Sequence, residues 1–270
     1  FVPESPRWLV THGQNEKAEE TVTEIEKGIA KAAGRYPLAP QESIEVHPKK
    51  SFGIGLILSS MIGKYRKRSI LALTLMVAQS FLYNSVFFTF GLVLSHFYHV
   101  PSGRIGLYLL PLAIGNFCGP LFLGTLFDTI GRKIMIAGTF AISGFLLLIT
   151  AYLFAAGLLT SVTQTIAWFS IFFFFASAAA SSAYLTVSEI FPLETRALAI
   201  ACFYALGTAI GGSTSPLLFG WLIESGSAWR VSAGYALAAG LLLIAAGTEL
   251  ILGIDAEGKS LESIADPLSS

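Results

Sequence analysis

Six apolar runs dominate this sequence, and each is long enough to cross a lipid bilayer as a helix. A bilayer core about 30 Å thick needs about 20 apolar residues per helix. Apolar residues make up 54% of the chain and charged residues only 13%, which is about half the charged share of soluble domains. Such a chain has too little polar surface to coat a soluble globule. The predicted spans are Ile70–Ser95, Arg104–Phe127, Ile134–Ala156, Val162–Val187, Leu198–Ile223 and Val231–Gly253.

The runs favour helices over strands, because they are continuous rather than alternating. Within lipid, only helices and closed barrels satisfy the hydrogen bonds of the backbone. We therefore predict an all-α membrane protein with a six-helix transmembrane bundle at residues 70–254. Residues 1–69 are predicted to be a cytoplasmic loop with short helices, and residues 255–270 a cytoplasmic tail.

The positions of Lys and Arg predict the orientation of the spans, since cytoplasmic loops carry an excess of both. If residues 1–69 lie inside, then all 17 Lys and Arg residues except Arg104 and Arg230 lie inside as well. The cluster Lys64–Arg68 directly precedes the first span, where this rule applies most strongly. We therefore expect both ends of the chain in the cytoplasm and a multi-pass location in the plasma (inner) membrane.

The net charge and the two cysteines indicate which partners and cofactors to expect. The net charge is zero, which gives no sign of nucleic-acid binding. Cys118 and Cys202 lie within apolar runs and are interpreted as small buried residues rather than a disulfide or a metal site. We expect no metal and no cofactor, with the lipid bilayer as the main surroundings. The chain begins with Phe1 rather than Met, and we expect a preceding segment to be missing.

The connector between the second and third spans carries the most specific motif, with glycines at 124 and 131, Asp128, and the basic pair Arg132 and Lys133. Gly124 would let helices approach closely, and Gly131 would allow a tight turn. Asp128 lies at a helix end near the membrane surface, where a carboxylate needs a partner. An ordinary positive-inside loop would explain the basic pair, but not the carboxylate and both glycines at this spacing.

This connector resembles the signature loop of the major facilitator superfamily. Three further stretches resemble its sugar-porter branch, namely Pro3–Leu9, Ser188–Pro192 followed by Arg196, and Gly258–Glu262. Their order and distances agree along the whole chain. The resemblance implies that the six spans form the C-terminal half-bundle of a twelve-helix fold. It also implies a partner, the N-terminal six-helix half, which is missing from this chain.

The same resemblance implies a set of gate charges. In that family, acidic and basic residues of the cytoplasmic loops form salt bridges when the transporter faces outward, and they separate when it opens inward. Exposed surface pairs, worth about 0–1 kcal/mol each, are the alternative. The implied gate residues are Asp128, Arg132, Lys133, Glu189, Arg196, Glu4 and Arg7.

Polar residues inside the spans indicate where a substrate could bind, because they are costly in lipid and usually face a cavity or another helix. Gln79 and Asn84 partly match the sugar-porter pattern Q-Q-x-S-G-x-N, and Tyr184 stands where that branch has Trp. Interhelical hydrogen bonding is the alternative for the two amides, and helix packing for Asn116. The candidate substrate-binding residues are Gln79, Tyr83, Asn84, Asn116 and Tyr184.

These features favour a secondary active transporter that works by alternating access and moves a small polar metabolite, either a sugar or an organic acid. Coupling to protons or another ion is expected, and a facilitative uniporter of the same fold is the alternative. An intramembrane enzyme or a channel is disfavoured, since His96 and His99 have no third ligand in their outer loop. Glu249, near the inner end of the last span, is expected to reach the headgroups.

Overall fold

The computed structural model describes residues 4–11, 13–33, 59, 61–255 and 264. Nearly all of these residues are helical, and none of them lies in a strand. The predicted all-α membrane class is therefore confirmed. The chain divides into two compact units, Phe1–Leu58 with Asp266–Ser270, and Ser59–Ala265.

The described part of the smaller unit contains the helices α1 (Pro6–Thr11) and α2 (Asn15–Ala33). The chain turns between them at Gly13, whose φ of +75° is a conformation that glycine adopts at little cost. Leu9 and Ala18 are the buried side chains of this pair. The two helices are thus an αα-hairpin with a very small apolar contact.

The larger unit contains all six predicted spans, and span 1 is longer than predicted, from Arg66 to Tyr98. We call the end of the bundle where spans 1, 3 and 5 begin the signature end, because it carries the loop of Asp128. Four spans are single α-helices: span 2 is α5 (Ser102–Thr129), span 3 is α6 (Arg132–Ala155), span 4 is α7 (Val162–Ile190) and span 6 is α10 (Ala228–Leu252). Span 1 is interrupted and comprises α3 (Arg66–Leu82), a π-helical turn (Tyr83–Phe87) and α4 (Phe90–Tyr98). Span 5 is interrupted in the same way and comprises α8 (Leu193–Gly207), a second π-helical turn (Thr208–Gly212) and α9 (Ser213–Glu224).

Glycines allow two pairs of spans to approach at backbone distance. Span 2 packs on span 4 through Gly115 and Gly119, and a Cβ on Gly115 would lie 2.5 Å from the carbonyl oxygen of Ser170. Span 5 packs on span 1 through Gly207 and Gly211, and a Cβ on Gly211 would lie 2.7 Å from the carbonyl oxygen of Val77. Both are small-x-x-x-small contacts, which are typical of helices packed in membranes.

The expectation that Gly124 brings helices together is wrong. A Cβ on Gly124 would meet nothing within 4 Å. The close contact lies instead at Gly119, more than one turn deeper in the same helix. Gly131 does form the tight turn, with a φ of +114° that an L side chain rarely adopts.

The spans differ in how deeply they are buried. Spans 1 and 4 are the most buried, while spans 2 and 5 are the least buried. Span 2 exposes large apolar side chains along its length, including Leu107, Phe117 and Phe122. Spans 1 and 4 thus form the centre of the bundle, and spans 2 and 5 lie at its flanks.

Candidate functional site

A cavity of about 430 Å³ lies between spans 1, 4 and 5. Span 1 contributes the turn where α3 passes into its π-helical segment, and span 5 contributes the start of its own π-helical segment. The two segments contact each other, so both irregular turns lie at one site. The cavity is lined by Gln79, Ser80, Tyr83, Asn84, Phe88, Ala180, Ser181, Tyr184, Tyr204 and Thr208.

Gln79 and Tyr184 form a polar pair across the cavity wall. The amide nitrogen of Gln79 donates a hydrogen bond to the hydroxyl of Tyr184 at 3.1 Å. Gln79 is 6% exposed, so this hydrogen bond gives its amide a partner within the bundle. The ring of Tyr184 also lies 6.0 Å from the ring of Tyr204, measured between centroids. Tyr184 and Tyr204 therefore form a pair of packed rings on one side of the cavity.

Tyr83 and Asn116 join span 1 to span 2. The hydroxyl of Tyr83 donates a hydrogen bond to the Oδ1 atom of Asn116 at 2.5 Å. The ring of Tyr83 packs edge-on against Phe173 of span 4. Asn116 does not line the cavity itself; it holds a residue that does.

Asn84 lies within the first π-helical turn and lines the cavity. Its amide nitrogen donates to the carbonyl oxygen of Ser80 at 2.8 Å. This bond uses the side chain locally, as short polar side chains in helices often do. The structure therefore brings Gln79, Tyr83, Asn84 and Tyr184 to one cavity and places Asn116 behind it.

Sequence reasoning missed several lining residues, of which Tyr204 and Thr208 are the most informative. They are four residues apart in span 5, so they share one helix face. A Tyr and a Thr at this spacing inside an apolar run are a detectable signal. The sequence does not show that this face of span 5 turns toward spans 1 and 4, and the structure does.

At the signature end, Arg132 binds two carboxylates. Its guanidinium contacts Asp128 at 3.3 Å, four residues earlier in the chain, and it also pairs with Glu189 at the end of span 4. The side chains of Arg132 and Glu189 are 18% and 13% exposed, whereas that of Asp128 is 69% exposed. Glu189 is therefore the shielded partner, and Asp128 is the one that water screens.

The other predicted gate residues lie in different places. Lys133 follows Arg132 in the first turn of α6, and Arg196 lies in the first turn of α8; both side chains are half-buried. Glu4 is exposed just before α1, and Arg7 lies within α1 of the smaller unit. A gating role for Glu4 and Arg7 stays a prediction.

A second cavity of about 270 Å³ lies next to the Arg132 cluster. Gly124, Asp128 and Arg132 line one side of it, and Ser181, Ser182 and Leu185 of span 4 line the other. Ser181 also lines the larger cavity. The two cavities thus meet at a single residue of span 4.

Glu249 does not reach the headgroups, so that expectation is wrong. Its residue exposure is 1%, and neither carboxylate oxygen has a hydrogen-bond partner among the described residues. Glu249 lies close enough to the end of span 6 to reach water, but its side chain is on the face of the helix that turns into the bundle.

The comparisons with known proteins agree with this architecture. The family model described as "Sugar (and other) transporter" matches residues 1–266. The chain is also similar to the "Putative metabolite transport protein YdjK" of Escherichia coli (strain K12), with 26% identity over 273 residues and 98% of this chain covered. The chain spans about half the length of that curated relative, 55% of it.

Proposed function

Since this chain belongs to the sugar (and other) transporter family, in the sugar-porter-like branch of the major facilitator superfamily, we propose that it forms the second half of a secondary active transporter. The transporter, which is not an enzyme, moves a small polar metabolite by alternating access. The cavity between spans 1, 4 and 5 is the observation that carries this proposal. It places amide, hydroxyl and aromatic groups inside an otherwise apolar bundle.

The chemistry of the cavity favours a neutral substrate. None of the described residues that line it carries a formal charge. A buried carboxylate without a cationic partner is costly, so an organic acid would need a cation from outside this chain. Amides and hydroxyls match the hydroxyl groups of a sugar or polyol, and the exposed rings of Phe88 and Tyr204 offer apolar faces for its carbon skeleton.

The exposure of the cavity supports a missing second wall. Phe88 and Tyr204 are 69% and 49% exposed although both line the cavity. Span 5, which contributes Tyr204, is also one of the two least buried spans. A preceding six-helix half would cover these faces and complete a midplane site between two repeats, as in other transporters of this type.

The Arg132 cluster is proposed as the gate, with the signature end facing the cytoplasm. The excess of Lys and Arg at that end supports this orientation. Arg132 joins the loop after span 2 to the end of span 4. Opening this end would separate these elements, so the cluster stabilises the closed arrangement of this end.

A symporter couples transport of its substrate to an ion gradient, whereas a facilitative uniporter does not. No carboxylate lies among the described residues that line the cavity, so a coupling group of this chain would lie elsewhere. The decisive measurement is accumulation of substrate against its gradient in vesicles with and without a proton gradient. Accumulation that collapses with the proton gradient supports a proton symporter, whereas equilibration alone supports a uniporter.

Uptake by the complete gene product tests the proposal as a whole. A panel of neutral sugars, polyols and organic acids would be presented to proteoliposomes. We expect saturable uptake of a neutral polyhydroxylated compound and a raised half-saturation constant for Asn84→Ala. Thr248→Ala is the matched control, because Thr248 bonds only within span 6 and lies outside the cavity. Saturable uptake of acids alone, or an unaltered constant for Asn84→Ala, would count against this site.

A further inference from the structure

Glu249 is the most unusual ionisable residue in the spans. It lies in the last turn of α10, and its side chain is enclosed, with 1% residue exposure. Neither of its carboxylate oxygens has a hydrogen-bond partner among the described residues. Ionisable side chains within spans are rare and commonly functional, and the gate and cavity described above do not use this one.

The carboxyl group is enclosed by its own helix end and by the neighbouring spans. It folds over Gly253, where an added Cβ would lie 2.8 Å from the Cδ atom of Glu249. Gly253 is therefore the residue that leaves room for the carboxyl group. Span 6 packs along span 3 and against span 1.

Two charged groups of the described residues lie near Glu249. Lys133 in the first turn of span 3 and Asp255 beyond span 6 are near enough for their charges to act on it. No ion pair joins it to Lys133 in the part of the chain that the structure describes.

Span 1 brings three more cations to this end of the bundle. Arg66 and Lys67 are exposed, and Arg68 donates to the carbonyl oxygens of Ile190 and Ile264. Span 5 meets span 6 through α9, whose Glu224 lies at the opposite end of the bundle.

An ionised carboxylate in such a place is costly, because it has lost water and gained neither a hydrogen bond nor a contacting cation among the described residues. The neutral acid avoids that penalty. We propose that Glu249 is a proton-binding site, which holds a proton in the arrangement seen here and releases it when the ends of spans 3 and 6 separate. This inference deepens the proposed transport function by naming a group that takes up the proton.

The step is a proton transfer without electron transfer. One carboxylate oxygen forms an O–H bond with a proton from the water at the signature end, and the reverse step returns that proton to the same water. Because the buried acid is the neutral form, acid favours the arrangement seen here and alkali favours the separated one. A single linked proton changes that equilibrium by at most about tenfold per pH unit.

Infrared difference spectroscopy of the complete gene product in lipid tests the proton site directly. The pH would be stepped from acid to alkaline, and the carbonyl stretch of a protonated carboxylic acid would be followed. We expect a band that disappears as the pH rises, that is absent from Glu249→Gln, and that persists in Glu224→Gln. Glu224 is the matched control, because it is an exposed glutamate at a span end.

The wild-type spectrum alone can overturn the proposal, so it does not depend on whether Glu249→Gln folds. A spectrum without a titrating carboxylic acid band, or a band that survives in folded Glu249→Gln, would refute it. The measurement needs no substrate. A protein that shows the band but transports nothing would therefore refute the proposed transport function and leave the proton site standing.

The linked conformational change needs a second readout. A reporter Cys in place of Ile134, which is 60% exposed at the start of span 3, would be labelled with a water-soluble thiol reagent across the same pH range. We expect labelling to depend on pH in the protein with Glu249 and to become flat in Glu249→Gln. Identical pH profiles in both would show that no spans move with this proton.

Discussion

The cavity and the Arg132 cluster share span 4 but have opposite chemistry. The cavity uses neutral hydrogen bonds between partly buried side chains, Gln79 to Tyr184 and Tyr83 to Asn116. The cluster uses full charges, with one guanidinium between a shielded and an exposed carboxylate. A site that must keep its shape gains from neutral bonds in an apolar setting, whereas a contact that must break repeatedly gains from water at its edge.

The two regions also differ in how tightly their helices are packed. At Gly119, about one turn beyond the Asn116 that bonds Tyr83, a Cβ would overlap the carbonyl oxygen of Phe174 and the hydroxyl of Ser177. At Gly124, beside the cluster, a Cβ would meet open space. Span 2, whose Asn116 holds Tyr83 of the cavity, thus makes a rigid contact with span 4 at Gly119, while the cluster lies where these spans diverge.

The largest expected effect tests this difference in packing. Gly119→Ala should lower the free energy of unfolding by up to about 3 kcal/mol, because the added methyl overpacks a backbone contact. Gly124→Ala should be neutral or stabilising by up to about 1 kcal/mol, since alanine favours helix. Thermal unfolding of both variants in detergent checks this. Equal melting temperatures of the two variants would show that span 2 is packed no more tightly at Gly119 than at Gly124.

The next effect concerns the shielded half of the charge cluster. Glu189→Gln removes the charge that faces Arg132, and the loss should be about 1.5 kcal/mol, at the low end for hydrogen bonds to charged groups. This corresponds to roughly a tenfold shift toward the arrangement that is open at the signature end. Labelling of a Cys reporter in the cluster's cavity measures the shift. An unchanged labelling rate would show that the pair does not hold this end closed.

In the cavity, the sharpest single change is Tyr184→Phe. It leaves the amide of the buried Gln79 without its partner, at a cost of about 1 kcal/mol or more. We expect roughly a fivefold rise in the half-saturation constant for uptake. Tyr152→Phe is the control, because Tyr152 is 68% exposed on span 3. If both variants behave alike, the hydroxyl of Tyr184 has no part in shaping the site.

The smallest effect should come from Asp128→Asn. Its side chain is 69% exposed, so screening by water limits its contribution to less than about 1 kcal/mol. We expect somewhat slower transport and a modest shift toward the inward-open state, both reduced further at high salt. Accessibility of Cys probes at the outer side provides the measurement. A shift as large as that of Glu189→Gln would show that the exposed and the shielded carboxylate contribute equally.

The sequence alone predicts where the spans lie, but not which face of each helix turns into the bundle. Span positions follow from length and hydropathy, which are local properties, and all six were predicted. Helix rotation depends on the neighbours, so Glu249 was given the wrong environment from its depth alone. For the same reason Gly124 was credited with a contact that Gly119 makes, and Tyr204 and Thr208 were missed. Four of the five substrate-binding candidates line one cavity because polar residues in lipid have few alternatives to facing one.

The two π-helical turns have a consequence at the level of the gene. Phe88 donates its backbone hydrogen bond to Tyr83, and Ser213 to Thr208, each five residues back rather than four. Each span therefore contains one amino acid more than an uninterrupted α-helix between the same ends, and the wide turn accommodates it. Deleting a single codon in either turn would leave a span long enough for the bilayer and restore a regular α-helix, so the helix beyond would keep its orientation while the widened turn is lost. The cavity lies at both turns, so its shape depends on one codon in each of two spans.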